Sequence, residues 1–169
     1  KWSGSKRSQA EAIVARMQTI DWSKVDVVTI FAGTNDWNNS NSESFGELSS
    51  TDINTTFGAI KEIIRLLLTT YPHIHIYWFS PTVRWLTDDS GARTDATWSD
   101  VFERFGYTLE EFSDAILSVV KQFHLPMCDM YNTLGWNKYN FSQFFSATDG
   151  THPRVGEGTE QIARKMVAF

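Results

Sequence analysis

The sequence is poor in the residues that would define several large classes of protein. It contains one cysteine, Cys128, in 169 residues, which excludes an intrachain disulfide framework and a cysteine-rich zinc site. Positive charge is also scarce: 15 Lys and Arg stand against 20 Asp and Glu, and the net charge of −5 argues against a nucleic-acid partner. No apolar run is long enough to span a bilayer, because Lys61, Glu62 and Arg65 interrupt the densest one.

The chain also lacks an initiator methionine and a signal peptide, and it opens on Lys-Trp-Ser-Gly-Ser. Lys1 therefore looks like a cut point. With 41% hydrophobic and 21% charged residues, the composition is that of a globular chain, and its length fits a single domain over residues 1–169.

Helical and extended patterns alternate along the chain. Apolar residues at helical spacing predict helices at about 6–20, 53–70 and 109–123, and a last helix that follows Gly156 and Gly158. Runs rich in β-branched and aromatic residues predict strands at about 25–32, 73–79 and 126–130. This order predicts an α/β fold in which right-handed crossovers build a parallel sheet with helices on both faces.

In such a sheet, ligands bind at the carboxyl ends of the strands. The stretch Ala-Gly-Thr-Asn-Asp-Trp, residues 32–37, directly follows the first predicted strand. Held at this end of the strand, the amide of Asn35 could stabilise a developing negative charge. The alternative is an ordinary exit from a strand into a loop.

A second polar stretch, Asp149-Gly150-Thr151-His152-Pro153, lies on a predicted turn before the last helix. At this spacing Asp149 can bind one imidazole nitrogen of His152, fix its tautomer and leave the other nitrogen free as a general base. Pro153 suits a first helical position. The alternative is structural, with Asp149 as a helix N-cap and His152 as an ordinary loop residue.

Taken together, Gly33-x-Asn35-Asp36 and Asp149-x-x-His152 resemble two motifs of the SGNH (GDSL-like) hydrolase superfamily. The resemblance implies a flavodoxin-like α/β/α sandwich and a serine ester hydrolase, with no cofactor. It implies that His152 is the general base and acid, that Asp149 orients it, and that the Asn35 amide binds the oxyanion.

His73-x-His75 could place two imidazoles on one face of a strand, but no third ligand is evident, so no metal site is expected.

Gly4 lies where the resemblance places the oxyanion glycine, although Ser-Gly-Ser fits a plain turn into the first helix equally well. The superfamily's Gly-Asp-Ser motif, which carries the nucleophile, does not occur in this sequence. We therefore expect the nucleophile, with the first one or two strands of the sheet, upstream of Lys1 or on a companion chain, and the chain alone to be inactive. In the family's strand order this leaves strand 25–32 at an exposed sheet edge, which invites aggregation or demands a partner.

Trp37 and Trp85 are each predicted at or just beyond the carboxyl end of a strand. Their flat rings suit a sugar ring or an acyl chain of a substrate, or they pack loops against the domain. We expect a small-molecule or glycan ester, such as an acetylated glycan, a short-chain ester or a lipid. The rival interpretation is a non-catalytic SGNH-like binding or structural module of a larger surface or phage-type protein. A secreted, cell-surface or phage-associated location is favoured over a cytoplasmic one.

Overall fold

The computed structural model describes residues 13–38 and 45–169, and the statements below refer to these residues. The predicted oxyanion glycine, Gly4, lies outside them. The helices are α1 (Ile13–Met17), α2 (Thr34–Asn38), α3 (Thr56–Thr70), α4 (Leu109–Lys121), α5 (Met130–Thr133), α6 (Phe141–Phe144) and α7 (Glu157–Ala168). The strands are β1 (Val27–Phe31), β2 (His75–Phe79), β3 (Met127–Cys128), β4 (Phe145–Ser146) and β5 (Asp149–Pro153).

The main sheet is parallel and has the order β1-β2-β3, which confirms the predicted α/β fold. Strand β1 pairs with β2 over its whole length, whereas β3 pairs through only two residues. Within the described chain β1 forms one edge of the sheet, as predicted for strand 25–32, and Val27 and Phe31 are 53% and 40% exposed.

Helices cover the sheet because their apolar faces match its buried strands. The α3 helix begins at the N-cap Thr55, whose side chain accepts the Gly58 N–H, and it packs against α1 and α4. On β2, Ile76 and Trp78 are buried on one face. The rings of Tyr77 and Phe79 project to the other face and contact Phe169, which follows α7. Both faces of β2 are therefore covered.

The region after α4 departs from the sequence-based expectation. Asp149–Pro153 does not form a turn into the last helix: it is strand β5, which pairs antiparallel with β4, Phe145 opposite Pro153 and Ser146 opposite Asp149. Pro153 ends this strand, and α7 begins only at Glu157. The Asp-x-x-His motif therefore lies on a small β-hairpin.

No helix of the described residues is both long and apolar enough to cross a bilayer.

The turn from β1 into α2 depends on Gly33. Its φ of +120° lies in a region that side chains disfavour, and an added Cβ would come within 2.7 Å of Ile116 Cδ1 and 3.2 Å of Pro81 Cγ. The missing side chain lets the chain turn beneath α4, and the Trp37 N–H then donates to the Gly33 carbonyl at 3.0 Å. This turn places Asn35 in the first turn of α2.

We predict that Gly33→Ala lowers the free energy of unfolding by about 2–3 kcal/mol, because it adds both backbone strain and a clash with the core. Gly91→Ala is the matched control: Gly91 also has a positive φ, +83°, but no atom lies within 4 Å of the point that an added Cβ would occupy. The control should cost only about 1 kcal/mol. Urea unfolding measures both, and equal losses would contradict the packing argument.

Candidate active site

His152 and Asp149 form a hydrogen-bonded pair on the β4–β5 hairpin. Nδ1 of His152 lies 2.7 Å from Oδ2 of Asp149. The imidazole side chain is 80% exposed, and its Nε2 makes no hydrogen bond with any described residue. The pair thus has the geometry predicted from the sequence: one ring nitrogen is held by a carboxylate and the other is open to a ligand.

The Asp149 carboxylate stays ionised at a pH well below the ordinary pKa of an aspartate side chain. Burial acts to raise its pKa, but the backbone N–H groups of His152 and Thr151 donate to Oδ1 at 3.0 and 2.8 Å, and the His152 ring adds a hydrogen bond and a charge. The net effect lowers the pKa of Asp149 from 3.8 to about 2. The stabilisation from this carboxylate is therefore complete above 3.8 and lost as the pH falls through about 2.

The ionised carboxylate fixes the tautomer of the neutral imidazole. A carboxylate only accepts hydrogen bonds, so the proton of the His152 ring lies on Nδ1, and Nε2 keeps its lone pair. A lone pair on an exposed nitrogen is what a general base requires.

A buried arginine connects this hairpin to the segment that follows β1. Arg84 is only 3% exposed. Its Nη1 donates to the Thr34 carbonyl at 2.8 Å and to Thr34 Oγ1 at 3.2 Å, and its Nη2 donates to Thr151 Oγ1 at 2.7 Å. Thr34 directly precedes Asn35, and Thr151 directly precedes His152. One guanidinium group therefore sets the spacing between the two sequence motifs.

The environment of Arg84 is strained electrostatically. Burial lowers its pKa most, the Asp149 carboxylate raises it, and the nearby Arg104 lowers it, and the net pKa is about 10 instead of 12.5. The side chain stays charged at neutral pH, and its Nε is buried without a hydrogen-bond partner among the described residues. Sequence reasoning missed Arg84, although an arginine five residues beyond the carboxyl end of a strand was a usable signal.

Asn35 is exposed, and its side-chain amide makes no hydrogen bond with a described residue. It lies in α2, directly after the carboxyl end of β1. The amide is therefore available to a ligand on the side of the sheet where polar groups converge.

The hairpin packs closely against the segment after β2. The main-chain N–H of Trp85 donates to the Gly150 carbonyl at 3.0 Å, and a Cβ added at Gly150 would lie 1.9 Å from the Trp85 carbonyl oxygen. Only glycine fits at position 150, so strand β5 can approach the Trp85 backbone as closely as it does.

The two tryptophans predicted to face a substrate occupy different environments. Trp37 has no exposed surface: its Nε1 donates to the Tyr107 carbonyl at 3.0 Å and its ring meets Phe102 edge to face, so it packs the loop and forms no wall of a site. Its position after a strand did not reveal that α2 turns the ring inward. Trp85 is half-buried and lines a cavity, with Nε1 donating to the Thr94 carbonyl.

Within residues 13–38 and 45–169, no three His, Cys, Asp or Glu side chains converge in a group that could hold a metal ion.

The fold and the site together define an α/β domain whose polar groups gather beyond the carboxyl ends of its parallel strands. The model of the GDSL-like lipase/acylhydrolase family matches residues 2–155, and the chain therefore belongs to this family. The resemblance inferred from the two sequence motifs is confirmed.

Solved structures show the same fold. One is 25% identical, with a TM-score of 0.76 over 98% of this chain and 72% of the other. A protein from Lactobacillus plantarum is 23% identical, with a TM-score of 0.76 over 98% of this chain and 74% of the other. A possible lipase from Chitinophaga pinensis is 21% identical, with a TM-score of 0.60 over 92% and 76%. The comparison with curated proteins found no match.

We predict that Asp149→Asn moves the His152 proton from Nδ1 towards Nε2. The two backbone N–H donors retain the amide oxygen, so the amide NH₂ group turns to the ring and Nδ1 must accept. The ¹⁵N chemical shifts of the neutral imidazole report the tautomer directly. Asp89→Asn, in an exposed turn, is the matched control and should leave these shifts unchanged. An unaltered tautomer in Asp149→Asn would show that the carboxylate does not set it.

We predict that Arg84→Met lowers the free energy of unfolding by about 2 kcal/mol or more, because it leaves the acceptors of Thr34 and Thr151 unpaired. It should also shift the backbone amide resonances of Asn35 and His152. Arg164→Met removes an arginine whose side chain is 82% exposed and serves as the control in urea unfolding and NMR spectra. Unmoved Asn35 and His152 resonances would contradict the spacing role of Arg84.

Proposed function

We propose that this chain supplies the acid–base pair and an oxyanion-binding amide of a serine ester hydrolase. The observation that carries the proposal is the 2.7 Å contact from His152 Nδ1 to Asp149 Oδ2, which leaves Nε2 exposed. Membership of the GDSL-like lipase/acylhydrolase family supports the same reaction class.

In the proposed reaction, Nε2 of His152 removes the proton of a serine hydroxyl as the serine oxygen attacks the acyl carbonyl. The tetrahedral intermediate collapses, His152 returns the proton to the departing alcohol, and an acyl-serine remains. Water, deprotonated by His152, then attacks the acyl group and releases the acid. Asp149 stays ionised throughout and stabilises the imidazolium that forms twice in this cycle.

The serine belongs to a Gly-Asp-Ser motif, which does not occur in residues 1–169. We propose that it is supplied by a segment ahead of Lys1 or by a companion chain, and that the chain alone is inactive. The Asn35 amide donates to the oxyanion, and Arg84 holds this amide and the imidazole at a constant spacing. The backbone N–H of Gly4 is assigned as a second oxyanion donor from its place in the sequence.

The proposed substrate is a glycan ester, in which an acetyl group is a suitable acyl group. The half-buried ring of Trp85 in a cavity beside the hairpin supports this choice, whereas the buried Trp37 does not contribute to it. The reaction as written needs no cofactor.

Hydrolysis of p-nitrophenyl acetate tests the proposal in a polypeptide that joins the Gly-Asp-Ser serine to residues 1–169. His152→Ala should lower kcat by at least about 10³-fold, because the members of a triad act as a unit. Asn35→Ala should lower kcat by about 10²-fold with little change in KM, since the amide acts on the transition state.

Two exposed residues provide matched controls. His73→Ala removes an imidazole at the loop before β2, and Gln122→Ala removes a side-chain amide at the end of α4; both should retain the rate. If His152→Ala hydrolyses the ester as fast as His73→Ala, the chain is not a catalytic domain, and the binding-module interpretation takes its place.

A further inference from the structure

A cavity of about 580 Å³ opens beside the catalytic hairpin, and neither the acid–base pair nor the oxyanion amide lies in it. We call it the hairpin cavity. Its lining includes three cations and three aromatic rings: Arg93, Lys138, Arg154, Trp85, Phe141 and Phe145. Its volume is typical of a site for a small organic ligand, such as one or two sugar rings.

The charge of the cavity is of one sign. Three cationic side chains line it, and none of the described lining residues carries a carboxylate. The chain as a whole has a net charge of −5, so this concentration of positive charge runs against the average of the molecule. A cavity with this lining attracts an anion.

One of the cations has no acidic partner. Lys138 lies 3.2 Å from an Asp95 carboxylate oxygen, and Arg154 contacts Glu157. Arg93 instead donates through Nη1 to the Ala147 carbonyl at 2.7 Å and through Nε to the Trp85 carbonyl at 3.3 Å. These neutral acceptors position its guanidinium group but leave its charge without a counterion among the described residues. Nη2 has no hydrogen bond there and is available to a ligand.

Another part of the cavity wall is aromatic. Phe141 and Phe145 stack with centroids 4.1 Å apart, and Trp85 meets Phe141 edge to face at 5.6 Å. The guanidinium carbon of Arg93 lies 5.8 Å from the centroid of the Phe141 ring, so the charged and apolar surfaces adjoin. Ser142 adds a hydroxyl to the lining. Apolar faces combined with a few convergent polar groups suit a sugar ring that bears a carboxylate.

The cavity and the acid–base pair share the same hairpin. Ser146 lines the cavity, and its Oγ accepts the Asp149 N–H at 3.0 Å. Trp85 lines it as well, and its main-chain N–H donates to the Gly150 carbonyl. A ligand bound in the cavity therefore lies beside Ser146 and Trp85, whose hydrogen bonds also hold the strand that carries His152.

We infer that the hairpin cavity binds the carboxylate of an acidic sugar, so that the substrate of the proposed hydrolase is an ester on a uronic-acid-containing glycan. The assignment of a substrate rests on the proposed function. The binding of the acidic sugar does not, since it involves no covalent step. Arg93 Nη2 receives the carboxylate, Lys138 adds to the positive potential, and the half-buried ring of Trp85 contacts the sugar.

Methyl β-glucuronide and methyl β-glucoside test the inference, because they differ only in a carboxylate and a hydroxymethyl group and neither carries an ester. Titrated into residues 1–169 and followed by NMR, the glucuronide should bind with a Kd of about 1 mM, and the glucoside at least about tenfold more weakly. The Trp85 indole N–H should respond, and added salt should weaken the binding. Acetate should bind at least about tenfold more weakly than the glucuronide, because it lacks the ring.

Variants locate the site. Arg93→Gln should abolish glucuronide binding and Lys138→Gln should weaken it about threefold, while Lys121→Gln, an exposed lysine away from the cavity, should leave it unchanged. Equal affinities for the two glycosides, or equal affinities in Arg93→Gln and Lys121→Gln, would overturn the inference. Because Arg93 also supports the hairpin, the comparison of ligands on the unaltered protein stands even where Arg93→Gln fails to fold. If the unaltered protein binds the glucuronide no better than the glucoside while the joined polypeptide hydrolyses the ester, this inference alone fails. If the unaltered protein binds the glucuronide preferentially but the joined polypeptide does not hydrolyse the ester, the proposed function alone fails.

Discussion

The arrangement of the candidate site depends on one buried charge. Arg84 is excluded from solvent, and hydrogen bonds from its two terminal nitrogens offset part of the cost of burying its charge, although Nε has no partner among the described residues. The partners of the terminal nitrogens are the Thr34 carbonyl and hydroxyl and the Thr151 hydroxyl. These hydrogen bonds therefore bring together two segments that are far apart in the sequence. In each segment the candidate functional residue directly follows the threonine. Neither Asn35 nor His152 is buried, so their positions depend on the buried residues that hold the backbone beneath them.

The sequence was sufficient for the fold because the fold is built from periodic elements. Helices α3 and α4 and strands β1 and β2 each carry an unbroken pattern of apolar residues, and the predicted bounds of each lie within three residues of those observed. The short elements carried no such signal. Strand β3 has two residues because Asp129 caps α5 by accepting the Asn132 N–H, and β4 and β5 are held by pairing to each other and to Trp85. Contacts of this kind are not local, and no periodicity announces them.

The same distinction applies to the site. The Asp149–His152 pair was predictable because its geometry is contained within four consecutive residues. The direction of Trp37 was not, since a strand end fixes where a side chain begins but not the side to which the following helix turns it. The role of Arg84 was hidden for a further reason: its partners are a main-chain carbonyl and two hydroxyl groups, which form no recognisable motif. Arg93 was hidden in the same way, because main-chain carbonyls hold it.

The contacts of the site differ greatly in the length of chain that they close. The Asp149–His152 hydrogen bond joins residues three apart, whereas the contacts of Arg84 join residues 50 and 67 apart. Closing a short loop costs little conformational entropy, and closing a long one costs more. The pair can thus form early in folding and persist when the domain opens locally, while its alignment with Asn35 exists only once the long-range contacts are made. Partial opening of the domain would leave the Asp149–His152 pair intact but no longer aligned with Asn35. The complete site would therefore be lost together with the long-range contacts of the domain.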